Sequence, residues 1–157
     1  MAILDKFWSA LRSDPAFRGL DDEQNQAILD ALVAVVFSDA HLAAEEAAEF
    51  DRQLQQLPWR WANDARARER ALTAAREKVE ALSDPDAAQA LVESIAARLP
   101  SAAVREKVYR MCVALSLADR SVAPGETNVL GGLRLGFGMA ESRAEELAAE
   151  VRAELGR

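Results

Sequence analysis

Apolar side chains recur every three or four residues along most of the chain, which is the spacing of helices with one buried face. The clearest stretch is "AILDALVAVVF", residues 27 to 37, whose second half is apolar nearly all round. It predicts a helix at the centre of the core. The stretch "VYRMCVALSLA", residues 108 to 118, predicts a comparable helix. Because no stretch alternates as a strand does, the sequence predicts an all-α fold, a bundle of seven or eight helices.

Residues that start and stop helices divide this pattern into segments. An amphipathic opening helix is expected to end at the run Ser13, Asp14 and Pro15. Helix N-termini are predicted at Asp21, Ala44, Asn63 or Asp64, the "SDPD" stretch at 83 to 86, Ser101, Pro124 and about Ala140. The glycine-rich stretch "GGLRLGFG", residues 131 to 138, is expected to cap a helix C-terminus.

Residues 21 to 57 and residues 101 to 137 share one pattern. When the two ranges are aligned, Asp21 corresponds to Ser101 and the two apolar stretches coincide, although few residues are identical. We therefore expect a single domain, residues 1–157, that contains two related helix pairs. Its expected segments are an N-terminal amphipathic helix (1–20), the first repeat half (21–57), inserted helices (58–99), the second repeat half (100–140) and a C-terminal helix (141–157).

Composition and net charge restrict the classes of protein to which this chain can belong. At 157 residues, with 50% of them apolar, the chain is long enough for one well-packed core. No stretch has 18 consecutive apolar residues and charges interrupt the first dozen positions, so we expect a cytoplasmic protein without a signal peptide or transmembrane segment. The opening helix is expected to pack on its own domain rather than on a membrane. The net charge of −7 argues against general nucleic-acid binding.

The charges are unevenly distributed along the chain. Residues 21 to 51 contain nine acidic residues and no basic one, whereas residues 60 to 78 contain six basic residues against three acidic ones. We favour an interpretation in which these two segments attract each other within the fold. The other interpretation is a surface that docks a partner.

The stretch "LPWRW" places two tryptophans around an arginine. Trp59, Arg60 and Trp61 have the residue types that are enriched in protein-binding hot spots, and they form the predicted partner-binding site. The interpretation we favour is that the tryptophans cover the core at a helix junction, with the arginine stacked over a ring.

Two short motifs repeat a pair of carboxylates. "SDAHLAAEE" contains Asp39 and Glu46, and "ADRSVAPGE" contains Asp119 and Glu126 in the same register. A carboxylate in the last turn of a helix faces the negative end of the helix dipole and needs a partner. Backbone N–H groups at the start of the next helix can supply one, and a glutamate near the third position of that helix can cap it in turn. Each motif then acts as a latch between consecutive helices.

The two motifs resemble those of the TerB-like family, which includes tellurite-resistance TerB proteins and the N-terminal domain of DjlA-type co-chaperones. The resemblance covers roughly residues 21 to 140. It implies that the four carboxylates bind a divalent cation such as calcium. Ala40 and Arg120 stand where the family normally has glycine, and the alternating positions that follow supply few further oxygen ligands. The latch and the cation site are therefore both open interpretations of these residues.

The resemblance also implies a non-enzymatic binding module in a bacterial stress response, which binds a protein partner or a second copy of itself. The alternative is a divalent-cation-binding or metal-sensing domain. No motif for nucleophilic or phosphate chemistry is present, so we expect no enzymatic activity. The single histidine, His41, is expected to be a partly exposed turn residue, and the single cysteine, Cys112, a buried and inert thiol.

Overall fold

The computed structural model describes residues 8–9, 11–36, 44–80, 84–118 and 124–154. Every element with defined bounds is helical, and no strand occurs within these ranges, which confirms the all-α prediction. Residues 8, 9 and 11 to 13 are helical and lead into a short 3-10 helix, Pro15–Phe17. The α-helices that follow are α1 (Asp22–Val36), α2 (Ala44–Gln55), α3 (Ala65–Glu80), α4 (Pro85–Arg98), α5 (Ala102–Ala118), α6 (Pro124–Gly136) and α7 (Glu141–Glu154).

The predicted capping residues are confirmed at four helix starts. Asp21 accepts a hydrogen bond from the Gln24 amide while the Gln24 side chain accepts one from the Asp21 amide, which is a reciprocal capping box. Before each of three other helices, one side chain accepts a hydrogen bond from a backbone amide in the first turn. These side chains are Asp64 before α3, Asp84 before α4 and Ser101 before α5. These bonds satisfy amides that have no acceptor within their own helix, so the local sequence sets where each helix begins.

Helix α1 is the centre of the molecule, as its pattern predicts. It packs against α3, α4, α5 and α6, and every side chain from residue 27 to 35 is buried. A helix that is apolar nearly all round can bury its whole surface only if neighbours cover each side. Each fully buried aliphatic side chain contributes roughly 1.5–3 kcal/mol through burial, so this one helix supplies a large share of the core.

The opening helical residues also join the core. Trp8 and Leu11 are buried in the same hydrophobic cluster as α1, and the 3-10 helix beside them packs on α5. The expected packing of this segment on its own domain is therefore confirmed for the described residues. The first seven residues of the predicted opening helix lie outside them.

The repeat predicted from the sequence appears in the helix boundaries. Asp22 and Ala102 begin α1 and α5, 80 positions apart, and Ala44 and Pro124 begin α2 and α6 with the same separation. The aligned pairs differ in their packing, because α6 contacts α1, α4 and α5 whereas the main described neighbour of α2 is α3. The two halves therefore share the spacing of their helix starts but differ in the helices that surround them.

The glycine-rich stretch has two separate functions. Gly138 has a φ of 67° and ends α6, with the amides of Gly138 and Met139 donating back to the carbonyls of Leu135 and Arg134. This confirms the predicted C-cap. Gly136 has a different function that the sequence pattern did not predict, because a Cβ there would lie 2.6 Å from Cγ1 of Val92.

Gly132 lies one turn before Gly136 and meets the same neighbour, since a Cβ there would be 3.1 Å from Cγ2 of Val92. The two glycines therefore let α6 approach α4 closely.

Among the described residues, no helix is long and apolar enough to cross a membrane.

Candidate functional site

The repeated carboxylates are only partly described. Asp39 and Asp119 lie outside the described residues, as does His41. Glu46 and Glu126 are the third residues of α2 and α6, which confirms their predicted helical position, and their side chains lie outside the description. That position places both residues where a carboxylate caps a helix N-terminus.

Elsewhere in the described part of the chain, no group of three or more histidine, cysteine, aspartate or glutamate side chains could hold a metal ion. The interpretation of the four motif carboxylates as a cation site therefore stays a prediction, beside the latch.

The three residues of the predicted partner site have different environments in the structure. Trp59 is buried and belongs to the hydrophobic core, and Trp61 packs against the core while remaining partly exposed. Their ring centroids are 5.3 Å apart with planes tilted by 60°. Arg60 is exposed and donates from Nη2 to Asp22 Oδ2 at 2.6 Å. Trp59 thus covers the core, as favoured, whereas Arg60 is held by an ion pair rather than over a ring.

Among the described residues, three ion pairs join the acidic and basic segments within the fold. Each pair connects a carboxylate in residues 21 to 51 with a basic side chain in residues 60 to 78. The pairs are Asp22 with Arg60, Asp51 with Arg68, and Asp30 with Lys78, at N–O distances of 2.6, 3.0 and 2.7 Å. For these pairs the favoured intramolecular interpretation is confirmed.

Asp30 is the most unusual of these residues, because its side chain is fully buried in the middle of α1. Its carboxylate accepts hydrogen bonds from Nε2 of Gln26 at 2.9 Å, from Nζ of Lys78 at 2.7 Å and from Nη2 of Arg98 at 2.7 Å. Nε2 of Gln26 also donates to the carbonyl of Ala71. One buried charge therefore connects three helices, α1, α3 and α4. The sequence pattern did not predict this cluster, although an aspartate within an apolar stretch was a visible signal.

Two arginines bind backbone carbonyls between elements. Arg68 donates to the carbonyl of Ala62 at 2.7 Å, before α3 begins. Arg105 donates to carbonyls at the C-terminal ends of both α4 and α6, namely those of Ala96 at 2.7 Å, Leu99 and Phe137 at 3.3 Å. Its guanidinium carbon also lies 5.8 Å from the centroid of the Phe137 ring. Because helix C-termini carry unpaired carbonyls and partial negative charge, this arginine stabilises two ends together.

Cys112 is buried in α5, as predicted. Burial raises the pKa of the thiol to about 12, since the thiolate would lose its hydration. A thiol in this environment is almost entirely protonated at neutral pH. It therefore lacks the ionised form that attacks substrates or binds metals.

The comparisons with known proteins give no family assignment: no protein-family model, no curated protein and no solved structure matches this chain.

Proposed function

We propose that this chain is a non-enzymatic, TerB-like helical module that acts by binding another protein in a bacterial stress response of the tellurite-resistance type. The observation that carries the proposal is the repeated helix phasing. The pairs α1–α2 and α5–α6 begin 80 positions apart, behind the capping residues Asp21 and Ser101. This is the organisation on which the resemblance of the two carboxylate motifs depends.

The use of the buried charges supports binding rather than catalysis. Asp30 and Arg68 each have described bonds to side chains or backbone of other elements, so their charges hold helices together. Cys112, the single thiol of the chain, is buried and protonated. These groups favour a rigid scaffold that presents a surface.

The proposal is tested by purifying the tagged chain from its own bacterial host, with and without tellurite, and quantifying the proteins that accompany it. We expect at least one protein to be enriched in near-stoichiometric amount over a tag-only control. The variant W61A tests the predicted partner site, since Trp61 is partly exposed and Trp59 is not available at the surface. Recovery of the same proteins with the tag alone would contradict the proposal.

Calorimetry and one double variant distinguish the cation site from the latch. In D39N/D119N, a latch predicts a lower melting temperature with or without calcium, because backbone amides lose a charged acceptor. A cation site predicts a difference mainly in the presence of calcium, since binding to the folded state is what stabilises it. Heat release with millimolar calcium that is lost in the double variant would favour the cation site instead.

A further inference from the structure

Helix α3 carries its basic residues on two sides. Arg68 and Lys78 face other helices and are bound to Asp51 and Asp30. The other three arginines of the helix are exposed, and none forms a salt bridge with a described residue. They are Arg66, Arg70 and Arg76.

Several other basic residues in the described part of the chain are paired with carboxylates. Arg110 and Arg143 each bind two glutamates, and Arg98 and Lys107 each bind an aspartate. A chain with net charge −7 has ample carboxylates for such pairing. Arg66, Arg70 and Arg76 lie on one helix and have no salt bridge with a described residue, so they leave a local positive surface that the described contacts do not use.

Two acidic residues lie on the same exposed side and decide which class of partner fits. Glu69 and Glu77 are exposed between and beside the arginines, and neither forms a salt bridge with the described residues. A uniformly anionic lattice, as in nucleic acid or an anionic membrane, would be repelled at these two positions. A protein surface can place a carboxylate opposite each arginine and a basic or neutral group opposite each glutamate.

We propose that the outer face of α3, formed by Arg66, Glu69, Arg70, Arg76 and Glu77, docks an acidic segment of a protein partner. The proposal rests on the binding function proposed above and specifies its surface and chemistry. Arginine suits this contact because its planar guanidinium can bind a carboxylate through two parallel hydrogen bonds. Arginine is also enriched where binding energy is concentrated in protein interfaces.

The test selects binders from a phage-displayed library of helical peptides randomised at surface positions, followed by fluorescence anisotropy with the selected peptides. We expect selected sequences to be rich in aspartate and glutamate. Binding should weaken about fivefold in R66Q/R70Q, because each exposed ion pair contributes little. The matched control is R18Q/R152Q, which removes the same charge from two exposed arginines that likewise have no described salt bridge.

Several outcomes would overturn this inference. Equal weakening in R18Q/R152Q would indicate a general charge effect, and selected peptides without acidic enrichment would exclude the stated chemistry. Tighter binding to an oligodeoxynucleotide or to phosphatidylglycerol vesicles would indicate a general anion surface. Self-association in sedimentation that R66Q/R70Q abolishes would assign the face to a second copy. If the host partner co-purifies equally well with R66Q/R70Q, this surface is wrong while the proposed binding function stands.

Discussion

Replacement of Asp30 by alanine is the sharpest test of how the fold is held together. The variant removes the only acceptor described for Lys78 Nζ and Arg98 Nη2, which bind the carboxylate at 2.7 Å each. Breaking a fully buried ion pair typically costs about 3–5 kcal/mol, because the remaining charge loses both its partner and its hydration.

The expected loss for this variant is somewhat smaller. The Lys78 side chain is 38% exposed and that of Arg98 is 18% exposed, so both can regain water when the carboxylate is gone. We therefore expect D30A to lower the free energy of unfolding by about 2–4 kcal/mol. D30N should cost less, since its amide oxygen still accepts a hydrogen bond. For a chain of this size the D30A loss corresponds to a melting temperature lower by roughly 5–12 °C.

The measurement is urea denaturation at pH 7, followed by the fluorescence of the three tryptophans. The matched control is D22A, an aspartate on the same helix whose ion pair with Arg60 is exposed. Such a pair contributes at most about 1 kcal/mol. If D30A and D22A destabilise the protein equally, or if D30A costs less than about 0.5 kcal/mol, then the buried carboxylate does not hold the helices as argued.

Three further predictions use other contacts. In the same denaturation assay, G136A should cost about 1–3 kcal/mol because its Cβ meets Val92, whereas G131A, which meets nothing, should be neutral or stabilising by up to about 1 kcal/mol; equal effects would contradict close packing. R105K should cost about 1–2 kcal/mol, since lysine cannot span three carbonyls, and unchanged stability would refute the shared cap. Cys112 should react with an aromatic disulfide reagent about 100-fold more slowly in the folded than in the urea-unfolded protein, and rapid native reaction would contradict its burial.

Local features of the sequence predicted the helices well. Side chains such as Asp21, Asp64 and Ser101 bind amides two or three residues away, so a short stretch contains the whole interaction. The burial of α1 followed in the same way from its apolar composition, and Gly138 from its position after a helix.

Contacts between distant residues were not predictable from one sequence. Asp30 is separated by 48 positions from Lys78 and by 68 from Arg98, and many other basic residues were equally plausible partners. The glycine-rich stretch shows a different limit. Its pattern indicates C-capping correctly for Gly138 but contains no sign that Gly136 meets Val92 on another helix.

The candidate site shows the same distinction between local features, which the sequence predicts, and contacts between distant residues, which it does not. The position of Glu46 and Glu126 within their helices followed from spacing, while their side-chain partners depend on residues outside the described ranges. The unpaired arginines of α3 could be recognised only after the partners of Arg68 and Lys78 were known.

The buried carboxylate of Asp30 also constrains how the protein is made. During translation, the apolar central helix α1 emerges from the ribosome before Lys78 and Arg98 have been synthesised. Until then its aspartate has neither cation and is better hydrated than buried. We therefore expect the final packing of α1 to form only after α4 has left the ribosome.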